Sequence, residues 1–349
     1  MLRPRSDRSS RTVGAGVPAQ CCATVAALAA LATGAGTIGD GGPGPRNGHG
    51  AVYDTRNGTL VVFGGASASE VRGDTWRWRR GVWRRLPGPG PGARTFPAMA
   101  YDAGRGEVVL FGGNRVLFGD SLHPPAMLGD TWLLREGRWR RGPEGGPSAR
   151  AEAAVAYDPA RGRTVLFGGY DRQGDGGARR LGDTWEWDGS RWHRMSDTGP
   201  PPRSGAAMAY HPVRGVVLFG GSGGPRGDTW AWNGRLWSRV PVPDAPGRFN
   251  AVMAPDPCGG RLVRFGGWDG QGRVGDTWEL GEHAWTLVVH DGPPARNHAI
   301  LAGAPDRCSL LLFGGHDGDR VFADLWERRR GHWAALEKVT PVPRVANGH

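Results

Sequence analysis

The chain has 349 residues, a formal charge of +11 and four cysteines. It has no run of about 20 apolar residues, so we predict no transmembrane span. The cysteine spacing fits neither a disulfide framework nor a zinc site, and whether Cys258 and Cys308 pair stays open. The 61 glycines and 28 prolines fall at fixed places between short apolar runs, which indicates turns rather than disorder.

Arginine supplies nearly all of the positive charge, since Lys338 is the only lysine. A basic chain is compatible with a nucleic acid or another acidic partner. No continuous tract interleaves basic and aromatic residues, so we predict no specific nucleic-acid partner. We expect the charge to be spread over solvated hairpins. The alternative is a basic rim that docks an acidic partner.

The first segment, residues 1–41, lacks the repeat that fills the rest of the chain. It has several arginines near its start, an alanine-rich apolar run over residues 23–32, and a small-x-small pattern at Ala30-Leu31-Ala32. This order resembles a secretory signal, with a flexible leader or a wrongly chosen start codon as the alternatives. We therefore predict a secreted or cell-envelope protein, or a cytoplasmic one if residues 1–41 are not a signal.

The remainder of the chain repeats one phrase: an apolar run ending in Phe-Gly-Gly, a loop, and a segment beginning Gly-Asp-Thr-Trp. The Phe-Gly-Gly element recurs every 46 to 56 residues, at Phe63, Phe111, Phe167, Phe219, Phe265 and Phe313. The sixth copy alters the second element to Ala323-Asp324-Leu325-Trp326. Self-similarity at this period is typical of propellers and repeat arrays.

The third copy shows how the repeat divides into strands. Turn signals separate four short segments, at residues 153–157, 164–167, 183–187 and 191–195. Four antiparallel strands per copy without helical periodicity predict an all-β fold, a six-bladed β-propeller over residues 42–337. Residues 338–349 echo the opening phrase of the repeat, so they form either a truncated seventh copy or a tail that pairs at the ring seam. We expect a monomer.

Two pairs of columns run through the copies. Tryptophans recur on the third and fourth strands, and because such rings each bury on the order of 200 Å², we predict that both columns form the core between blades. An arginine precedes each first strand, and an aspartate begins each third strand. A guanidinium fits a carboxylate in a bidentate manner, so we predict that these residues pair and brace the loops. An anion-binding ring of arginines is the alternative.

These features resemble the kelch-repeat family, which includes the central propeller of galactose oxidase-like proteins. The matching features are the apolar run before each Gly-Gly pair, the Asp-x-Trp start of the third strand, the spaced tryptophan of the fourth, and Pro45-Arg46-Asn47-Gly48-His49. The resemblance implies a propeller with its ligand face around the central channel, and no particular activity. The copper-site pattern of galactose oxidase is absent, because Tyr210-His211 falls in a turn on the opposite face and neither Cys258 nor Cys308 adjoins a suitable tyrosine.

Function is expected where the copies differ from one another. Just beyond the repeat arginines and directly after the Gly-Gly pairs, chemically distinctive residues replace small ones in several copies. The predicted ligand-binding site on the central loop face consists of His49, Glu152, Asn250, His298, Tyr170, Trp268, His316, Arg150, Arg248 and Arg296.

The favoured function is a binding module for a glycan, an anionic ligand or a protein, with no catalytic residue, metal ligand or cofactor predicted. The alternative is an enzyme of oxidase, lyase or isomerase type that uses His49, Glu152, His298 and His316 as acid–base groups or metal ligands. One observable separates the two. An enzyme requires at least two of these four groups within about 4–6 Å of one locus.

Overall fold

The computed structural model describes residues 41–117, 126–172, 178–224, 226–288, 291–337 and 342–343. Within these ranges the chain forms six antiparallel sheets of four strands, one from each copy of the repeat. The described residues contain one short 3-10 turn and no helix that could cross a membrane. The predicted all-β, six-bladed propeller is therefore confirmed. The predicted leader, residues 1–41, lies outside the described residues except for Gly41.

The first three blades follow in chain order. Blade 1 consists of β1 (Gly50–Asp54), β2 (Thr59–Phe63), β3 (Thr75–Arg79) and β4 (Val82–Arg85). Blade 2 consists of β5 (Ala98–Asp102), β6 (Glu107–Asn114), β7 (Met127–Arg135) and β8 (Arg138–Arg141). Blade 3 consists of β9 (Ala154–Asp158), β10 (Arg163–Phe167), β13 (Thr184–Trp187) and β14 (Trp192–Ser196), with the hairpin β11 (Tyr170–Arg172) and β12 (Ala178–Arg180) between β10 and β13.

The other three blades complete the ring. Blade 4 consists of β15 (Ala207–His211), β16 (Gly215–Phe219), β17 (Thr229–Trp232) and β18 (Trp237–Arg239). Blade 5 consists of β19 (Val252–Pro255), β20 (Leu262–Phe265), β21 (Thr277–Leu280) and β22 (Trp285–Val288). Blade 6 consists of β23 (Ile300–Ala304), β24 (Ser309–Phe313), β26 (Leu325–Arg329) and β27 (His332–Glu337), with the 3-10 turn Pro305–Arg307 between β23 and β24. The short strand β25 (Arg320–Val321) lies in the loop before β26, and β28 (Val342–Pro343) follows the blade.

The predicted strands of blade 3 agree with the observed ones to within one residue. The loop after β10 differs from expectation, because it folds back as the hairpin β11–β12. Asp171 lies opposite Arg179 in this hairpin, and the Arg179 Nε donates to the Asp171 carboxylate at 3.1 Å. This ion pair and the cross-strand hydrogen bonds give the loop strand character.

The fourth-strand tryptophans join neighbouring blades through a repeated hydrogen bond. Each indole Nε1 donates at 2.8–3.0 Å to the threonine of the preceding copy's Gly-Asp-Thr-Trp: Trp139 to Thr75, Trp192 to Thr131, Trp237 to Thr184, Trp285 to Thr229 and Trp333 to Thr277. All of these rings except the half-buried Trp139 are buried, as predicted.

The third-strand tryptophans are less buried than predicted. Trp76 is buried, whereas the equivalent rings in the other five blades, such as Trp185, are half-buried. The indole N–H of Trp185 donates to Asp183 at 2.7 Å, as that of the buried Trp76 donates to Asp74 at 2.6 Å, so this bond is common to both degrees of burial. In three blades a second tryptophan lies two positions after the third-strand one and is buried in the core: Trp78, Trp187 and Trp232.

The ring closes between blades 1 and 6. There the altered sixth copy lacks the threonine that accepts the interblade indole hydrogen bond elsewhere. Leu325 replaces the threonine, so it cannot accept from an indole. The Trp83 and Trp78 Nε1 atoms instead donate to the two oxygens of Glu337, at 2.7 and 3.0 Å. The Arg46 N–H also donates to the Phe322 carbonyl at 3.1 Å. One carboxylate therefore replaces the interblade hydroxyl at the seam.

Two further links lie in blades 5 and 6. Cys258 and Cys308, in equivalent turns, form a disulfide with Cα atoms 5.4 Å apart, which answers the question that their spacing left open. The short strand β28 pairs with β25, next to the seam residue Phe322. The described part of the tail is thus a pairing segment rather than a blade strand.

Blade 5 contains a buried charge that no other blade has at that position. Arg264 in β20 is fully buried between the rings of Phe219, Trp278 and Trp285. Its Nη1 donates to the Pro246 carbonyl at 3.0 Å, but its Nε and Nη2 have no hydrogen-bond partner. Burial lowers the pKa of Arg264 to about 9.

We predict that Arg264→Leu raises the free energy of unfolding by at least ~1 kcal/mol, because an apolar residue replaces an incompletely paired buried cation. Leucine is the residue at the equivalent position in blades 2, 3, 4 and 6. Urea unfolding followed by tryptophan fluorescence measures the change. A destabilised variant would show that the guanidinium makes a net favourable contribution in its aromatic surroundings.

Candidate functional site

A ring of residues with left-handed backbone surrounds the mouth of the central channel. These residues lie two positions after each repeat arginine, and their φ angles are 52–61°: Gly48, Phe96, Glu152, Gly205, Asn250 and His298. Glycine adopts this conformation without strain, whereas other residues do so at a cost of roughly 1–2 kcal/mol, with asparagine the most tolerant. Four of the six positions nevertheless carry a side chain.

Backbone hydrogen bonds connect this ring from blade to blade. The N–H of Phe96 donates to the Gly48 carbonyl, that of Glu152 to Phe96, that of Gly205 to Glu152, that of Asn250 to Gly205, and that of Gly48 to His298, at 2.6–3.3 Å. All six residues share the left-handed turn, whether they are glycines or carry a side chain. The backbone conformation is therefore a property of the repeat, whereas the side chain at this position differs from blade to blade.

The ring side chains line a cavity of about 130 Å³, roughly ten times the space that a water molecule needs. Its walls include His49, Phe96, Glu152, Asn250 and His298, and the rest are mainly small residues. Beneath it lies a second cavity of about 210 Å³, lined by first-strand residues that include Met99, Met208 and Met253. The two cavities share wall residues along the channel.

Glycines at two ring positions make room for neighbouring side chains. A Cβ atom at Gly48 would lie 2.6 Å from the Phe96 ring, and one at Gly205 would lie 2.1 Å from the Asn250 side-chain oxygen. Phe96 and Asn250 thus lie across the glycine of the preceding blade. The mouth has an aromatic wall from Phe96 and an amide from Asn250.

Glu152, His298 and His316 form a connected polar chain in the mouth. The His298 Nδ1 is 2.9 Å from the His316 Nε2, so one imidazole donates and the other accepts. The His298 Nε2 is 3.7 Å from a Glu152 carboxylate oxygen. The Phe96 ring packs edge-on against His298, with centroids 4.9 Å apart. The chain thus joins a carboxylate to two imidazoles, of which Glu152 and His298 reach the cavity wall.

A second backbone pairing brings His316 and Tyr170 to this chain. The residue after each repeat arginine pairs with the residue after a Gly-Gly pair, so Asn297 pairs with His316 and Ala151 with Tyr170. The two columns of variable residues are therefore adjacent. Burial, together with the charge of Glu152, raises the pKa of Tyr170, so its hydroxyl remains a proton donor.

Trp268 lies in the same column but has a different environment. Its backbone pairs with Phe249, and its ring faces the guanidinium of Arg273, 4.7 Å from the ring centroid. Trp268 is not among the residues that line the cavity. Tyr170, His316 and the three predicted arginines are likewise outside the cavity wall, so of the predicted site residues His49, Glu152, Asn250 and His298 line the cavity.

The repeat arginines are engaged in buried ion pairs within their own blades. The pairs are Arg46–Asp74, Arg94–Asp130, Arg150–Asp183, Arg203–Asp228, Arg248–Asp276 and Arg296–Asp324, at 2.6–2.9 Å. The prediction that these columns pair is confirmed. Burial alone would raise the pKa of Asp183, but hydrogen bonds from Arg150 and Trp185 outweigh it and hold that pKa below its usual range. Arg150, Arg248 and Arg296 thus brace the loops beneath the mouth.

His49 also lines the cavity, but it stands apart from the acid–base chain. It is buried at the seam, where its ring packs edge-on against Phe313 with centroids 5.4 Å apart. Burial, helped by the charge of Arg46, lowers the pKa of His49 to about 3. The imidazole is therefore neutral at physiological pH, unlike a group suited to proton transfer there.

The criterion for an enzyme is that at least two of the four candidate acid–base groups lie at one locus, and the structure meets it. Three of the four proposed groups, Glu152, His298 and His316, meet at one locus, and His49 does not join them. Among the described residues, no three His, Cys, Asp or Glu side chains are placed to hold a metal ion. Phe96 is a wall residue that the sequence prediction left out, although its position in the Glu152 column could have identified it.

Fold and mouth together define a six-bladed β-propeller with a polar site at its channel entrance. Among solved structures, the chain is similar to YjhT, with a TM-score of 0.65 and 13% identity over 84% of this chain and 98% of that one. This similarity supports the fold alone. No family model matches the chain. No curated protein matches it either.

We predict that Glu152→Gly stabilises the protein by ~1 kcal/mol, because glycine relieves the left-handed strain without losing the backbone ring. The unfolding midpoint in urea should rise. The matched control is Ala153→Gly, where ordinary backbone makes glycine neutral or destabilising. A lower midpoint for Glu152→Gly would mean that contacts of the carboxylate stabilise the fold more than the strain destabilises it.

We also predict that His49 makes the fold sensitive to acid. Its folded pKa of about 3 is below the ordinary 6.5, so its contribution to stability is complete above about pH 6.5 and is lost as the pH falls towards 3. His49→Ala introduces the residue found there in copies three to six. The loss of unfolding free energy between pH 7 and pH 4 should shrink by up to ~3 kcal/mol. Identical pH profiles would contradict this prediction.

Proposed function

We propose that the protein binds an uncharged polar ligand at the channel mouth, and that one sugar unit of a glycan is the class that fits it. The observation that carries the proposal is the set of side chains held in the left-handed ring. Phe96, Glu152, Asn250 and His298 occupy positions where glycine would serve the fold without strain. Backbone strain of this kind is concentrated at functional sites.

The chemistry of the wall supports a sugar. Phe96 offers an apolar surface, and Asn250, Glu152 and His298 offer hydrogen-bonding groups directed at one cavity. Such a combination of an aromatic face with a few convergent polar groups is typical of small-ligand sites. A free anion fits this mouth less well, because the bracing arginines are already paired with aspartates and Glu152 adds negative charge.

A second candidate function is acid–base catalysis on the bound ligand. The Glu152–His298–His316 chain favours it, since a carboxylate beside a hydrogen-bonded imidazole pair can accept and return a proton at one locus. Proton transfer of this type serves lyases and isomerases. In this role the His298 imidazole contacts the ligand, and its neighbours Glu152 and His316 control the protonation of that imidazole.

Other features fit an extracellular glycan-binding propeller. The resemblance of the repeats to the kelch family supports a ligand face around the channel. The Cys258–Cys308 disulfide favours an oxidising compartment, and thus a secreted or cell-envelope location. A monomer fits a ring that closes upon itself.

Saturation-transfer NMR tests the binding proposal with glucose, galactose, N-acetylglucosamine and galacturonate as probes. At least one neutral sugar should bind, and Asn250→Gly should weaken that binding at least tenfold while keeping the left-handed backbone. Asn57→Gly, the same substitution in a turn of blade 1 on the opposite face, should leave it unchanged. Failure of all three neutral sugars to bind, or equal binding by both variants, would overturn the proposal.

The catalytic candidate is tested by incubating the bound sugar with the protein in deuterated water. Proton NMR should show deuterium incorporation or a new isomer, and Glu152→Gln and His298→Asn should abolish the change. His193→Asn, which alters an imidazole on an outer strand of blade 3, is the matched control. An unchanged spectrum with a sugar that binds would leave binding as the function of the mouth.

A further inference from the structure

The outer hairpins of blades 1 and 2 carry an unusual concentration of arginine. The β3–β4 hairpin has five arginines and no acid, and the β7–β8 hairpin has four arginines and two acids, Asp130 and Glu136. Nine arginines and two acids give these two hairpins a formal charge of +7, compared with +11 for the whole chain. The equivalent hairpin of blade 5, β21–β22, has two glutamates and no arginine. The positive charge is therefore localised rather than spread evenly.

The two basic hairpins adjoin across one interblade groove. Arg77 in β3 reaches blade 2, where its guanidinium lies 3.6 Å from the position that a Cβ atom would take at Gly137. Arg84 lies directly opposite Arg77 in the sheet and faces the same groove. Arg141 and Trp139 project from blade 2 towards blade 1, on the same face of β8. We name this feature the blade 1–2 groove.

In blades 3 and 5 the equivalent groove contains an acid that pairs with a residue of the next blade. At the position of Arg77, blade 3 has Glu186, which accepts from the Trp232 Nε1 of blade 4 at 2.7 Å. Blade 5 has Glu279, which pairs with Arg328 of blade 6. In the blade 1–2 groove the residue across from Arg77 is Leu134 in β7, and the buried Nε of Arg77 has no partner. This groove thus has a donor that the fold leaves unused.

The hairpins also set like charges directly opposite each other. Arg77 pairs across the strands with Arg84, and Arg135 pairs with Arg138. Such pairs destabilise a hairpin. Charge on an edge strand guards against edge-to-edge association, but β22 of blade 5 lacks arginine and is an edge strand as well. Edge protection therefore does not account for this arrangement.

We propose that the blade 1–2 groove binds an acidic polysaccharide, whose carboxylate or sulfate groups pair with the arginines along the two hairpins. Residues that alternate along a strand lie about 6.6–6.8 Å apart on one face, so successive guanidinium groups form a row that a linear polyanion can follow. The bidentate fork of arginine suits both anionic groups. This surface lies on the outside of the ring, separate from the channel mouth.

The groove favours a polysaccharide over other anionic partners. Single-stranded nucleic acids need aromatic surfaces on which bases stack. Trp83 is buried here, and Trp139 is half-buried with its N–H bonded to Thr75. An interfacial membrane site needs apolar residues that insert into lipid, and Val82 is the one exposed large apolar side chain among the described residues of these hairpins. A charged groove without such surfaces fits a hydrophilic polyanion.

The test measures binding to immobilised heparin and to polygalacturonate at several salt concentrations. Arg84→Ser with Arg141→Ser removes one exposed arginine of the groove from each hairpin and should weaken binding to at least one polymer roughly tenfold, since each contact contributes a factor of about three. Arg235→Ser with Arg239→Ser removes the same charge from blade 4, on the other side of the ring, and should change binding less than twofold. Near-UV circular dichroism verifies that both variants are folded.

The outcomes separate this proposal from the others. If blade 1–2 and blade 4 variants lose binding equally, the charge of the whole chain acts and the groove is not a site. Tighter binding to a 20-base-pair DNA duplex or to anionic lipid vesicles than to both polysaccharides would overturn the partner class. Asn250→Gly, which alters the channel mouth, should leave polysaccharide binding unchanged, so a failure of the sugar site does not affect this result. If Arg84→Ser with Arg141→Ser is unfolded, Arg79→Ser with Arg141→Ser repeats the test.

Discussion

The arginine–aspartate pair at the loop face is the interaction on which the rest of the structure depends. In blade 3 the Arg150 guanidinium donates to both oxygens of Asp183 and to the Gly168 carbonyl, and Asp183 also accepts from Trp185. One buried pair thereby ties the entry of the first strand, the end of the second and the start of the third. Removal of one partner from a buried pair typically costs 3–5 kcal/mol, so six such pairs fix the loops firmly. This pair also positions the left-handed residue that lies two places after the arginine, which in blade 3 is Glu152.

Because the brace uses the repeat arginines and aspartates, chemistry at the mouth depends on the residues that the brace positions. Glu152 is a carboxylate without an arginine partner in the ring, and its neighbour His298 is hydrogen-bonded to His316. The mouth therefore combines a fixed backbone with variable side chains, as rigid scaffolds with functional loops commonly do. A ligand there meets a site whose geometry is set before binding, which lowers the ordering cost of association.

The sequence was sufficient to predict what six copies repeat. Blade count, strand positions and the Arg–Asp pairing follow from periodicity, because a packing constraint recurs at each copy. It was not sufficient where the outcome depends on backbone angles or on contacts between copies. The left-handed φ of Phe96 does not follow from a phenylalanine, and the His298–His316 contact requires the pairing of Asn297 with His316. The Cys258–Cys308 bond stayed open for the same reason, since spacing does not give a Cα distance.

Departures from the repeat differ in whether the fold compensates for them. Leu325 removes an interblade acceptor, and Glu337 supplies another, so that change needs no ligand. Arg264 is only partly compensated, by aromatic faces and one carbonyl, and it is fully buried, so we expect its consequence to be confined to stability. Glu152, His298 and Arg77 are different, because each lies beside a cavity or groove that an external ligand can enter. A departure that costs stability and faces solvent-accessible space is where selection for a ligand is the simplest physical explanation.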